Sequence, residues 1–144
     1  MTPQDIARSW IGTPYVHQAS CRGAGADCLG LLRGVWRELY GAEPEAVAPY
    51  SPDWSEARHE ERLWDAARRH LVELPVATVS PGNVILFRMR EGSVAKHLGI
   101  VGQSEPCASF IHSFSGHGVV ESPLSDPWRR RIVATFEFPN PGVD

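Results

Sequence analysis

Cysteine is scarce in this sequence and badly spaced for cross-linking or metal capture. The three residues Cys21, Cys28 and Cys107 form an odd set with no CxxC pair. That argues against a disulfide framework and against a cysteine-rich zinc module, so the thiols are expected to be reduced. An excess of one charge is missing too: 14 Lys and Arg stand against 17 Asp and Glu, a net charge of −3, with RRR at 129–131 the only basic run. Such a balance carries no nucleic-acid footprint, and the three arginines read as solvated side chains. Long apolar runs are also lacking. No stretch reaches bilayer length, and MTPQDIARSWIG has no basic segment followed by an apolar one. The expectation is a chain made in the cytoplasm without a signal peptide or membrane insertion, whose route outward, if it has one, is supplied by something else. There is no internal repeat and no low-complexity tract.

What remains is 144 residues, enough for one domain spanning 1–144 with a real core. Thr2, Pro3 and Asp5 ahead of Ile6, Ala7 and Trp10 predict an N-capped amphipathic helix that ends by Gly12 and Pro14. A second helix is expected from about Asp27 to Tyr40, with Leu31, Val35 and Leu39 on one stripe and Gly41 as its stop. Residues 41–54 carry three prolines and little periodicity and read as a surface excursion. A charged helix is expected from about Ser55 to Leu71, burying Leu63, Ala66, Ala67 and His70, with His59 and His70 read as surface or packing residues. After Ser80-Pro81-Gly82 the period changes. NVILFRM, HLGIVG, SFIHSFS, VVESPL and RIVATFEF are short β-branched and aromatic runs separated by turn signals, which predict a C-terminal antiparallel meander. Helices first and strands second in one small unit make an α+β fold.

Cys28 sits where a loop of turn residues, GTPYVHQASCRGAGA, passes into the helical run LGLLRGVWRELY. The free N–H groups and positive dipole end of a first helical turn favour a thiolate, which is a nucleophile. The plainer alternative is a small buried hydrophobe. Two histidines fall inside expected strands, His97 opening HLGIVG and His112 within FIHS. Either alone is accounted for as a hydrogen-bonded core residue. Together with Cys28 they supply nucleophile, base and a third group to hold the base's tautomer, in that order. Their separation of fifteen positions suits neighbouring strands joined by QSEPCA, with both rings on one face.

These stretches, GTPYVHQASCRGAGADCLGLL, PGNVILFRM, KHLGIVG, SFIHS and GVVES, resemble in order the motifs of the NlpC/P60 cysteine peptidases, over roughly residues 5–138. The resemblance implies a papain-like α+β core in which helices, with the nucleophile at a helix start, pack on a C-terminal antiparallel sheet. It also implies hydrolysis of peptidoglycan stem peptides at the bond between γ-D-glutamate and a diamino acid such as diaminopimelate, without a cofactor or metal. By position Cys28 is the nucleophile, His97 the base and His112 the orienting residue. Tyr15 matches a tyrosine lining the substrate pocket, and Asp27 an aspartate that helps hold the stem peptide's free amino end. DCLG in place of DCSG, together with the proline-rich excursion, resembles the phage-tail and gene-transfer-agent branch. That branch implies tail or baseplate partners and action in the periplasm of a recipient cell. Leu29 replaces the usual serine and Asn83 a commonly acidic residue.

Two other readings compete. Cys28, His97 and His112 are also valid zinc ligands, although no HExxH motif accompanies them. A structural tail component that keeps a peptidase fold without activity is the second. Cys21, Cys107, His17 and His117 read as loop or turn residues.

Overall fold

The computed structural model describes residues 1–50, 61–76 and 78–140. Thr2 caps α1 (Pro3–Arg8) by accepting the Asp5 N–H at 3.2 Å, and the proline at the first position needs no partner for a missing N–H. A two-residue hairpin follows, β1 (Ser20–Cys21) against β2 (Gly25–Ala26). Helix α2 (Cys28–Tyr40) starts on the Asp27 carboxylate, which accepts the Gly30 N–H at 2.7 Å. It stops at Gly41, whose φ of 92° suits a residue without a side chain. Leu31 and Val35 are fully buried, while Leu39 packs at the margin of the core.

Residues 41–50 carry no regular element and lie largely on the surface, and positions 51–54 of the expected excursion fall outside the described residues. Helix α3 runs Arg62–His70. Positions 55–60 of the expected helix, His59 among them, also lie outside the described residues. Of the expected inner face only Leu63 is fully buried; Ala66, Ala67 and His70 are half-buried, because α3 rests its first turn on the core and leaves a groove beside residues 43–50.

The remaining strands are β3 (Val72–Leu74), β4 (Val84–Arg88), β5 (Ala95–Gln103), β6 (Ser109–Phe114), β7 (Gly118–Pro123) and β8 (Ile132–Glu137), with the short helix α4 (Asp126–Arg129) before the last. They make one antiparallel sheet in the order β3-β8-β4-β5-β6-β7. The expected α+β class holds, but the meander covers only β4 to β7. The last strand crosses back to pair with β4 instead of extending the β7 edge. That edge is already occupied: Gly12 N–H donates to the Val119 carbonyl at 3.0 Å and Val119 N–H to the Thr13 carbonyl at 2.9 Å. An edge filled by the loop after α1 offers no ladder to a further strand.

Both faces of the sheet are covered. Along β4, Val84 and Leu86 face the helices with Ile6, Trp10, Leu31 and Phe136, while Ile85 and Phe87 face a second cluster with Val101, Phe110 and Leu124. The alternation is the two-residue period of a strand. Trp128 of α4 closes the second cluster. The chain that crosses from β7 to β8 therefore also roofs the face of the sheet away from α2.

Candidate active site

Cys28 is the first residue of α2; the residue is 8% exposed, and its thiol is bonded to the carbonyl of Lys96 at 3.9 Å. A distortion of the sheet presents that carbonyl. β4 and β5 pair Phe87 with His97 and then Arg88 with Ala95, so Lys96 is the extra residue of a bulge. Bulges re-aim a strand beside functional sites, and this one turns the start of β5 toward the head of α2. Cys28 and His97 accordingly line one cleft of about 170 Å³, together with Tyr15, His17, Asp27 and Tyr50.

His97 and His112 lie on the sheet face covered by Trp128. The Nε2 of His97 is 2.8 Å from Nδ1 of His112, and Nε2 of His112 is 2.9 Å from the Ser122 hydroxyl. The two residues are not directly opposite. β5 pairs with β6 at Ile100 and Ile111, so one step along the ladder sets Gly99, not His97, across from His112. A diagonal pair spans roughly 7–8 Å between backbones, a gap two imidazoles can fill if nothing stands between them. Gly99 leaves that space: a Cβ there would meet Phe110 Cδ2 at 2.7 Å and His112 Cβ at 3.3 Å.

With His97 bonded to His112 through Nε2, its Nδ1 remains for the thiol. The tautomer that leaves Nδ1 unprotonated has His97 Nε2–H donate to His112, and His112 Nε2–H donate to Ser122. Aromatic rings pack this pair closely, Trp128 lying 5.6 Å from His97 and 5.3 Å from His112, ring centre to ring centre. Burial, then the neighbouring His112, takes the pKa of His97 down to about 3, and burial takes His112 down to about 4.

The thiol moves the opposite way from the helix-start expectation. Burial pushes Cys28 up to about 12, and the Asp27 carboxylate adds to it. Backbone N–H groups, those of Leu29 and Cys28 included, act in the expected direction but are outweighed. Taken separately, each group is held in its neutral form: an S–H and a neutral imidazole lining one cleft. Those are the protonation states from which a base accepts a thiol proton.

Asp27 serves the scaffold. It is 3% exposed, and besides Gly30 N–H it accepts Gln18 N–H at 2.7 Å and the Tyr50 hydroxyl. His17 approaches the same carboxylate at 3.7 Å, and its Nε2 lies 2.9 Å from the Tyr50 carbonyl. His17, read from sequence as a loop residue, thus faces the cleft, and Tyr50 of the excursion forms one of its walls. Tyr15 lines the cleft as well, its pKa raised by burial and by Cys28. Cys21 and Cys107 are exposed and lie outside the cleft, and His117 is an exposed turn residue stacked on Phe114.

The zinc alternative does not fit these residues. Two nitrogens bound to one tetrahedral zinc at roughly 2.0–2.1 Å stand about 3.3 Å apart and both point at the ion. The facing nitrogens of His97 and His112 instead point at each other. Among the described residues no group of three or more His, Cys, Asp or Glu is arranged to hold a metal.

The sequence offered no signal for several of these features. Ser122 and Gly99 depend on strand register, Lys96 on the bulge, and Trp128 on the crossing of the sheet. Ser122 does lie in the quoted GVVES run, two positions beyond Val120, the residue paired with His112.

This α+β architecture is shared with solved structures of other proteins. One is a lipoprotein-like protein of the NLP/P60 family from Staphylococcus aureus subsp. aureus Mu50, which superposes with a TM-score of 0.60 at 19% identity, over 95% of this chain and 40% of that one. Another is Ly7917, with a TM-score of 0.60 at 10% identity, over 94% of this chain and 61% of that one. At the level of individual proteins, the chain is similar to the gamma-DL-glutamyl hydrolase of Bacillus subtilis (strain 168), 27% identical over 135 residues. The match takes in 93% of this chain and 28% of that protein, so the chain spans less than a third of the curated relative's length. No protein-family model matches the chain.

Proposed function

We propose that this chain is a cysteine peptidase of the NlpC/P60 type that hydrolyses γ-glutamyl bonds in peptidoglycan stem peptides, the γ-D-glutamyl-diaminopimelate bond first among them. The observation that carries the reading is the cleft that a helix-start thiol and His97 both line, with His97 bonded to His112 behind it. The solved NLP/P60 structure supports the scaffold, and the name of the curated hydrolase supports the γ-glutamyl linkage.

In the proposed reaction Nδ1 of His97 takes the Cys28 proton as the sulfur attacks the scissile carbonyl. Both charges form together, so each offsets the burial that opposes the other. His112, anchored by Ser122, steadies the imidazolium through His97 Nε2. The N–H groups of Cys28 and Leu29, in the first turn of α2, face the oxygen of the tetrahedral intermediate. His97 returns the proton to the leaving amine, which departs with the C–N electron pair and leaves a thioester. Water then gives its proton to His97 and its oxygen to the acyl carbon, and the thiol is released.

Delivery belongs to the same proposal. DCLG and the proline-rich excursion support a protein carried by a phage-like or gene-transfer-agent tail to the recipient's periplasm, with tail or baseplate proteins as partners. The deciding experiment is incubation with purified diaminopimelate-type muropeptides and mass spectrometry of the products. Cleavage between glutamate and diaminopimelate, abolished by Cys28→Ala, supports the reading. Intact muropeptides overturn it, and favour the non-catalytic tail component. Particles purified from a producing strain should contain the protein, and its absence from them overturns the delivery step.

A further inference from the structure

The cleft at Cys28 is too small for an extended peptide, so a substrate must leave it on at least one side. Beyond Met89, which lines both spaces, the surface opens into a groove of about 450 Å³ bordered by Arg88, Arg130 and Arg131, with Glu91 on its rim. These arginines come from the end of β4 and from the segment joining α4 to β8, brought together by the crossing of the sheet. Arg88 is committed: it donates to Glu61 at 3.1 Å and to the Ser93 carbonyl at 2.5 Å. Arg131 is positioned through backbone, donating to the Met89 carbonyl at 3.3 Å and the Pro127 carbonyl at 3.1 Å, with its guanidinium 5.9 Å from the Trp128 ring centre. Among the described residues no ion pair joins Arg130 or Arg131 to a carboxylate. On a chain of net charge −3, a groove that adjoins the Cys28 cleft at Met89 thus keeps two guanidinium groups without acidic partners among the described residues.

We infer that this groove is an anion subsite, which takes a free carboxylate of the substrate beside the bond that is cut. The inference rests on the peptidase reading above and narrows it to an acidic peptide. A γ-glutamyl linkage fits this chemically, because it leaves the glutamyl α-carboxylate free next to the scissile bond, and diaminopimelate adds another on the far side. Guanidinium groups bind carboxylates through paired, charge-assisted hydrogen bonds, and the indole beneath Arg131 restrains its plane.

The test uses three synthetic peptides: L-Ala-γ-D-Glu-diaminopimelate with both flanking carboxylates free, and two versions in which one or the other is a carboxamide. Arg130 is exposed, so Arg130→Gln should fold normally. It is expected to raise KM for the free peptide about tenfold with kcat nearly unchanged, the loss of one charge-assisted contact. For one of the two carboxamides the variant should shift KM far less. Glu91→Gln should move KM the other way, by a smaller factor, and 0.5 M salt should weaken binding of the free peptide. An equal effect of Arg130→Gln on all three peptides, or no effect on any, overturns the subsite. If the wild-type protein cleaves none of them, the peptidase reading falls, and the subsite is judged by calorimetric binding to Cys28→Ala with and without Arg130→Gln. Weakening confined to carboxylate peptides then sustains it, and equal binding or no binding overturns it.

Discussion

The two walls of the cleft are built in opposite ways. On the helix wall, everything that places Cys28 lies within a few residues of it: Asp27 caps the helix, and Leu31 and Val35 seat it. On the sheet wall, His97 owes its place to a bulge opposite Phe87, to a glycine two positions on, to a partner fifteen residues away and to a tryptophan from a crossing connection. The thiol wall is a local structure that can be rebuilt from a short peptide's rules. The imidazole wall is a product of tertiary register, and it should be the more fragile of the two.

Deleting the chemistry of the helix wall should have the largest effect without touching the fold. Cys28→Ala and Cys28→Ser are expected to lower muropeptide hydrolysis at least about 10⁴-fold, with circular dichroism and thermal midpoint close to wild type. Cys21→Ala and Cys107→Ala, outside the cleft, should keep full rates. A Cys28→Ser protein with near-normal turnover would show that the sulfur is not the nucleophile.

Next comes the sheet wall, where the order of two effects is informative. His97→Ala should match Cys28→Ala, since base and nucleophile act as one unit. His112→Asn keeps an acceptor for His97 Nε2–H and should cost roughly 10–100-fold, the equivalent of one charge-assisted hydrogen bond at about 1.5–3 kcal/mol. Rates for purified variants on one muropeptide decide it. If His112→Asn were the more damaging change, the base and orienting roles would have to be exchanged.

The same contrast governs how much was legible in the sequence. α1 and α2 could be read almost to the residue, because Thr2, Asp27 and Gly41 act on their own helices. The strands could be read as strands, but not their order: the return of β8 to β4 depends on Gly12 and Thr13 having filled the β7 edge, a contact more than a hundred residues apart. Cys28 was recognisable as a helix-start thiol. Its protonation was not, since burial by distant side chains and the carboxylate of Asp27 decide it. Nor could spacing show that Gly99 faces His112, which distinguishes a diagonal pair from a directly opposed one. Arg130 and Arg131 illustrate the limit most plainly, as a solvated run in sequence and the border of a groove in space.

Gly99→Ala isolates that register. The new methyl would sit 2.7 Å from Phe110 Cδ2 and 3.1 Å from the Ile111 carbonyl oxygen, so ring and strand must shift. Overpacking of this kind costs about 1–3 kcal/mol. Denaturant unfolding should show that loss, accompanied by a drop in kcat as His112 is displaced from His97. Loss of stability at full activity would mean that the histidine contact is unimportant for turnover.

The smallest effect expected is a shift along the pH axis, and it separates water exclusion from mere packing. Trp128 covers both imidazoles, and burial is the first cause of their low pKa values, about 3 and about 4. Histidines whose folded pKa lies below the unfolded value near 6.5 bind fewer protons folded than unfolded at intermediate pH. Their contribution to stability is complete above pH 6.5 and is lost as pH falls through 6.5 toward 4 and 3. Replacing the indole by a smaller apolar group, Trp128→Leu, admits water to the rings and raises both folded values toward 6.5. Two consequences can be measured on one preparation. The acid limb of kcat/KM, which needs neutral His97, should move to higher pH, and the slope of stability against pH between 4 and 6.5 should flatten. Trp128→Phe, which restores a ring, should return both toward wild type. A variant that is less stable at every pH with an unmoved acid limb would make Trp128 a packing residue only, and the desolvation of the histidine pair would then have to come from Phe87, Phe110 and Phe114.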